Sequence, residues 1–225
     1  MDMAKSPLQQ LLDKFRASSL TEREKGTYFE ELIQAYLRNE ASYKDLYSNV
    51  WTYSEWAKEQ NLDQRDTGID LVALTNGTNE YHAIQCKFYD EDYVVKKSDI
   101  DSFFTASGKK IFSHRIIVTT TNNWSEHAED ALQDQNPPVT KIDFHDLDNS
   151  QIDWSQYQPK QEVVIKKKKV LRDHQKSALT AVVNQFENVD RGKMIMACGT
   201  GKTFTSLKIA ETVAGNGGRV LFLVP

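Results

Sequence analysis

The sequence predicts an α/β protein: a mixed sheet flanked by helices, followed by the opening elements of a second, parallel α/β domain. Three observations lead there. Apolar residues keep a helical period to about Arg38, a two-residue period begins at Ile69, and a glycine loop stands between an apolar run and a helix from Ala197.

The elements follow in order. Ser6-Pro7 ahead of Leu8, Leu11, Leu12 and Phe15 predicts an amphipathic helix, with Ser6 as cap and Pro7 in the first turn. Thr21-Glu22-Arg23-Glu24 is a capping box that opens a second helix to about Arg38. Its apolar face is Phe29, Leu32, Ile33, Tyr36 and Leu37. The aromatic stretch Tyr43 to Trp56 follows no single period. Ile69 to Leu74 and Tyr81 to Phe88 predict strands, joined by the turn residues Asn76-Gly77-Thr78-Asn79. Ser98 to Ser107 predicts a helix ended by Gly108, and Ile116 to Thr119 a buried strand. Ser125 to Gln135 predicts a helix stopped near Pro137-Pro138, and Val139 to Phe144 a further strand. From Asp153 to Lys169 the period lapses, apart from Val163 to Ile165, and the stretch ends in consecutive lysines. The expected division is a first domain over 1–152, a linker over 153–169 and the start of a second domain over 170–225.

Composition narrows the function classes. Of 225 residues, 39% are hydrophobic and 27% charged, as in globular chains. No apolar run approaches the ~20 residues of a membrane helix, and the N-terminus lacks the layout of a secretory signal. Cys86 and Cys198 both fall within motifs, so a disulfide framework is not expected and a reducing cytoplasm is. The histidines show no zinc-ligand spacing. The net charge of −4 gives no overall basic character. Lys96-Lys97, Lys109-Lys110 and Lys166 to Lys169 remain the local candidates for phosphate contact.

Ala197-Cys198-Gly199-Thr200-Gly201-Lys202-Thr203 has the setting of a phosphate loop, with apolar Met194 to Met196 before it and helical Phe204 to Val213 after it. The backbone of Gly199, Thr200 and Gly201 can cradle phosphates, Lys202 can reach the outer ones, and the Thr203 hydroxyl can ligate Mg²⁺. Met196 stands where the general pattern has glycine. Gly-Thr-Gly-Lys-Thr here resembles motif I of superfamily-two helicases and translocases, which implies a RecA-like fold and ATP-Mg²⁺. Leu171 to Gln175 is similar to that family's adenine-reading Q motif, which implies that Gln175 bonds adenine. Arg219 to Pro225 looks like the strand entering motif Ia. The acidic motif and the second motor domain's arginines do not occur in this sequence. The expectation is that this chain alone does not hydrolyse ATP at a motor-like rate.

Upstream lies a carboxylate–lysine constellation. Asp70 opens one predicted strand, and Gln85 and Lys87 share one face of the next. A step of about 100° per residue puts Glu30, rather than Glu31, at the edge of the second helix's apolar face. Gly26, on the same side, would permit close approach to the sheet. Glu30, Asp70, the Gln85 amide oxygen and the Cys86 carbonyl are hard oxygen donors that suit Mg²⁺, and Lys87 can act on an attacking water. Gly26-Thr27-Tyr28-Phe29-Glu30, Gly68-Ile69-Asp70 and Gln85-Cys86-Lys87 together resemble the Mrr-like branch of the restriction-endonuclease fold. Val118 to Asn122 before a helix resembles that family's later strand.

The resemblance, over roughly 21–148, implies a restriction-endonuclease-like sheet and Mg²⁺-dependent cleavage of double-stranded DNA. Glu30, Asp70 and Gln85 would serve the metal and Lys87 the water. The commoner family pattern has an acid where Gln85 stands. A nuclease followed by helicase motif I is similar in layout to type ISP restriction–modification enzymes, with type I subunits also open. Those enzymes carry further motor, methyltransferase and target-recognition regions. The other readings are a catalytically silent DNA-gripping module and a regulatory part of an ATPase.

Overall fold

A computed structural model of the chain describes residues 5–19, 21–65, 68–167, 170–197, 199–215 and 217–223. Lys168, Lys169, Cys198, Val224 and Pro225, which figure in the motifs above, lie outside the described residues. The chain divides into two compact units, Met1–Lys166 and Lys167–Pro225.

The first unit opens with α1 (Pro7–Ser18) and α2 (Glu22–Asn39). The Ser6 hydroxyl accepts from the Gln9 N–H at 3.2 Å, and the Thr21–Glu24 capping box is closed in both directions. These contacts satisfy donors that a helix start leaves bare. The buried stripe of α2 is Phe29, Leu32, Ile33, Tyr36 and Leu37, as the sequence period predicts.

A five-stranded sheet follows, in the order β1-β2-β3-β4-β5. The strands are β1 (Tyr47–Thr52), β2 (Leu71–Thr75), β3 (Tyr81–Lys87), β4 (Phe112–Thr119) and β5 (Val139–Ile142). The β1/β2 and β2/β3 pairs are antiparallel, whereas β3/β4 and β4/β5 are parallel. The sheet is therefore mixed, as expected. The helices α3 (Tyr53–Glu59), α4 (Lys97–Ser107), α5 (Glu126–Leu132) and α6 (Phe144–Asp148) complete the unit. Two cores flank the sheet. Ile84, Ile116 and Val118 face the core shared with α1, α2 and α6, while Ala83 and Ile117 face the core of α3, α4 and α5.

The sequence period fails at Tyr43 to Trp56 for a physical reason. Strand β1 runs into α3 with no turn residue between them, and Thr52 both ends the strand and caps the helix through Glu55. A register shift between Tyr47 and Asn49 breaks the alternation as well. At the outer edge Gln34 and Arg38 of α2 donate to the Val50 carbonyl, at 2.8 and 2.5 Å. The strand expected to run to Phe144 stops at Ile142, because Asp143 caps α6.

Residues 153–166, read above as linker, pack on the first unit instead. Trp154 is 2% and Tyr157 8% exposed, and Trp154 Nε1 donates to the Leu147 carbonyl at 2.8 Å. Ile152 bridges Ile165, and Lys166 Nζ donates to the Ser150 carbonyl at 2.9 Å. Apolar and aromatic residues at irregular spacing close the core here without a periodic element.

His82 of β3 and His114 of β4 lie side by side, with ring centroids 5.0 Å apart. Tyr47 Oη shares a hydrogen bond with His82 Nδ1 at 2.9 Å, and Thr140 Oγ1 one with His114 Nε2 at 2.8 Å. Burial, then the neighbouring His114, push the His82 pKa down from 6.5 to about 4, against the pull of Glu80. Between these values the unfolded chain binds a proton that the folded chain refuses. Stability from this residue is thus complete above about pH 6.5 and falls as pH drops toward 4. Allowing for partial exposure, the expected loss is about 1–2 kcal/mol. Chemical denaturation from pH 7 to 4 measures it, and His82→Gln should flatten the slope.

The second unit contains α7 (Asp173–Phe186) and α8 (Lys202–Ala214). The strands expected at Met194–Met196 and from Arg219 are not formed among the described residues. A parallel strand exists only through bonds to a neighbour, and neither segment makes such a ladder here. Ile195 and Leu221 are each 82% exposed. Among the described residues no helix is long and apolar enough to cross a membrane.

Candidate functional site

The site forms where β2 and β3 part. Leu71 pairs with Ile84, and the Asp70 N–H still donates to the Ile84 carbonyl at 2.9 Å. One step further the ladder changes character. The Cys86 N–H donates at 2.6 Å to the Asp70 carboxylate (Oδ2) in place of a backbone carbonyl. On the other side the Tyr53 N–H donates to the Asp70 carbonyl at 2.8 Å. Asp70 is thus pinned by its backbone to β3 on one side and to the first residue of α3 on the other, with its carboxylate where β2 and β3 part.

Gln85 lies on the opposite face of β3 from Ile84 and Cys86 and is 2% exposed. Its Nε2 donates to the Gly68 carbonyl at 3.0 Å, which fixes the amide orientation, since the flipped amide would set oxygen against oxygen. Gln85 Oε1 is then buried with no hydrogen-bond donor. Gly68 holds a φ of +83°, and a Cβ there would meet Ser102 Oγ at 3.6 Å and Gln85 Nε2 at 3.9 Å. A side chain at this position would be strained by its backbone, although a Cβ would meet these neighbours at ordinary contact distance.

Three charged groups surround Cys86. Burial pushes the Cys86 thiol well up, the carboxylates of Asp70 and then Glu30 add to the rise, and Lys87 opposes them. Glu31 instead points to Lys160, at 3.7 Å. The space beside Gly26 is taken by Glu30 Oε1, 3.8 Å from where a Cβ would stand, with nothing from the sheet within 4 Å. Gly26 therefore leaves room for Glu30 rather than for close approach of the sheet.

The donor set suits a hard cation: two carboxylates, an amide oxygen lacking a donor, and the backbone carbonyl of Cys86. Among the described residues no group of three or more His, Cys, Asp or Glu side chains could hold a metal.

In the second unit Gly199 and Gly201 take φ of +75° and +82°, and Gly201 is the N-cap of α8. Thr200 Oγ1 and Lys202 Nζ both donate to the Ala197 carbonyl, at 2.6 and 3.3 Å. Gln175, 5% exposed, accepts from the Arg172 N–H at 2.9 Å and donates to the Thr200 carbonyl at 2.8 Å. Each atom of its amide makes one of these bonds and keeps a second proton or lone pair. A Cβ on Gly201 would collide with that same amide. Lys202 and Thr203 are exposed. Val170, Arg172, Gln175, Gly199, Thr200, Gly201 and Phe204 line a cavity of about 380 Å³.

Residues 38–164 match a restriction endonuclease family, more than half of the 225 residues. The chain belongs to the restriction endonuclease family. The match leaves out α1 and all of α2 but its last two residues, and with them Glu30. Residues 168–225 match the res subunit of type III restriction enzymes, so this restriction endonuclease continues into a helicase-like segment. Among solved structures, the ATP-dependent type ISP restriction-modification enzyme LlaBIII bound to DNA is 39% identical, with a TM-score of 0.69. That alignment covers 94% of this chain and 13% of that one, so the chain spans a small part of that enzyme's length. Two further structures match at lower similarity. The DNA modification-dependent restriction endonuclease AspBHI is 18% identical, with a TM-score of 0.45 over 65% of this chain and 35% of that one. The MspJI restriction endonuclease in complex with a 27-mer oligonucleotide is 14% identical, with a TM-score of 0.33 over 66% and 34%. No curated protein matches.

The sequence did not reveal that the Cys86 N–H is the donor to Asp70, nor that Thr120 and Arg16 hold the backbone after Lys87. A backbone donor leaves no trace in residue type. The threonine run did stand out, but only as part of a strand.

Proposed function

We propose that the first unit is a Mg²⁺-dependent endonuclease that cleaves double-stranded DNA, acting as the nuclease part of an ATP-dependent translocating restriction enzyme. The observation that carries this reading is the Asp70 carboxylate accepting the Cys86 N–H where β2 leaves β3, one residue before Lys87. Asp70, Glu30 and Gln85 Oε1 would hold the metal. Bound Mg²⁺ supplies polarisation of the phosphate and acidification of water. Lys87 orients or deprotonates the attacking water and offsets charge as it builds on the phosphate. Asp70, oriented by the Cys86 N–H, presents its carboxylate in one direction only. Family membership and the likeness to a DNA-bound type ISP enzyme support the DNA substrate. The loop from Gly199 to Thr203, Gln175 and the cavity they border support ATP-Mg²⁺ as the second unit's ligand.

The neutral Gln85 in an acid's usual place favours one other reading, a silent DNA-gripping module. Supercoiled plasmid incubated with the full chain decides between them. Nicking and linearisation with Mg²⁺ or Mn²⁺, lost in EDTA, are expected. Cleavage indifferent to EDTA, or DNA binding without cleavage in either metal, would sink the nuclease reading.

A further inference from the structure

The backbone just past Lys87 is held by a side chain to which the sequence reading gave no role of its own. The β3/β4 ladder ends with Lys87 opposite Thr119. Beyond that point Thr120, 3% exposed, takes over with its side chain. Its Oγ1 accepts from the Tyr89 N–H at 2.8 Å and donates to the Tyr89 carbonyl at 2.7 Å. Its own N–H donates to the Lys87 carbonyl at 3.2 Å. A hydroxyl has one proton to give and lone pairs to receive, and here both functions are spent on one residue. From α1, Arg16 Nη2 donates to the same Tyr89 carbonyl at 2.8 Å, and its guanidinium lies 5.0 Å over the Phe88 ring.

We propose that Thr120 is a positioning residue for Lys87 and the Cys86 carbonyl, acting through the Tyr89 peptide. This rests on the nuclease reading above. A strand end that carries reacting groups would otherwise fray, because terminal residues have lost half their ladder partners. Thr120 extends the pairing by two residues and does so with a buried hydroxyl that valine matches in shape but cannot replace. Thr121 supplies an internal comparison. It is 1% exposed, and its hydroxyl donates to the carbonyls of Glu91 and Tyr93, at 3.2 and 2.9 Å, further from Lys87 along the chain.

The test uses the full chain with Thr120→Val, Thr120→Ser and Thr121→Val. Thr120→Ala replaces the valine variant if that one does not fold. Three quantities are read: the single-turnover cleavage rate on saturating plasmid with Mg²⁺, the DNA concentration giving half that rate, and hydrogen exchange of the Tyr89 amide. Thr120→Val is expected to slow cleavage about 10- to 100-fold, with the half-saturating DNA concentration within about twofold of wild type. Tyr89 exchange should quicken about tenfold in that variant. Thr120→Ser should restore both, and Thr121→Val should leave cleavage far less affected than Thr120→Val. Unchanged Tyr89 exchange, faster exchange with wild-type cleavage, or an equal loss in Thr121→Val would each overturn the proposal. A wild-type chain that cuts with neither Mg²⁺ nor Mn²⁺ overturns the nuclease reading instead, and the Tyr89 exchange then decides the clamp by itself.

Discussion

Asp70→Asn is expected to lower metal-dependent DNA cleavage by about 10²–10³-fold or more while leaving the fold intact. Asparagine keeps the shape of aspartate, and its side-chain oxygen can still accept the Cys86 N–H that Asp70 accepts at 2.6 Å. It loses the charge, and a neutral amide is a much poorer partner for a hard divalent cation. With Gln85 already neutral, the change leaves Glu30 as the one carboxylate of the proposed set. Lys87→Ala should cost a similar factor for a different reason, since it removes the cation that faces the attacking water and the developing charge. Both variants should melt within a few degrees of wild type and retain DNA affinity. Plasmid cleavage and thermal melting on the same preparations check this. Persistent cutting in either variant means that the chemistry resides elsewhere.

Trp154→Ala is expected to cost the first unit about 3–5 kcal/mol, measured by denaturant titration. Trp154 is 2% exposed, stands 5.7 Å from the Tyr157 ring, and gives its indole N–H to Leu147. Alanine there leaves a large cavity and an unpaired carbonyl together. A loss below about 1 kcal/mol would mean that residues 153–166 only rest on the unit, as a linker would.

Much of the fold could be read directly from the residues. The Ser6 and Thr21 caps, the stripe on α2, the β2–β3 hairpin and the mixed sheet all follow from local rules that act within a few residues. What escaped depended on partners distant in sequence. Strand β1 is defined by pairing with β2 and by Gln34 and Arg38 reaching the Val50 carbonyl. The stretch after Ile152 looked like a connector because its packing residues, Trp154 and Tyr157, obey no period. For the site, residue types and spacing singled out Glu30 over Glu31, and the structure sets Glu31 toward Lys160. The backbone N–H that orients Asp70 could not be inferred from sequence, because every residue but proline has one.

The manner in which Asp70 is held bears on when the site comes into being. Its carboxylate stands in for a ladder carbonyl opposite Cys86, and the backbone carrying Lys87 is fastened to β4 from across a helical crossover. The first contact lies within the β2–β3 hairpin, whereas the second requires β4. A chain still emerging from the ribosome, with β2 and β3 made but β4 unsynthesised, therefore lacks the anchor that orders the segment carrying Lys87. Long-range parallel pairing is slow to form, so the backbone that carries Lys87 is fastened late in folding, after the β2–β3 hairpin.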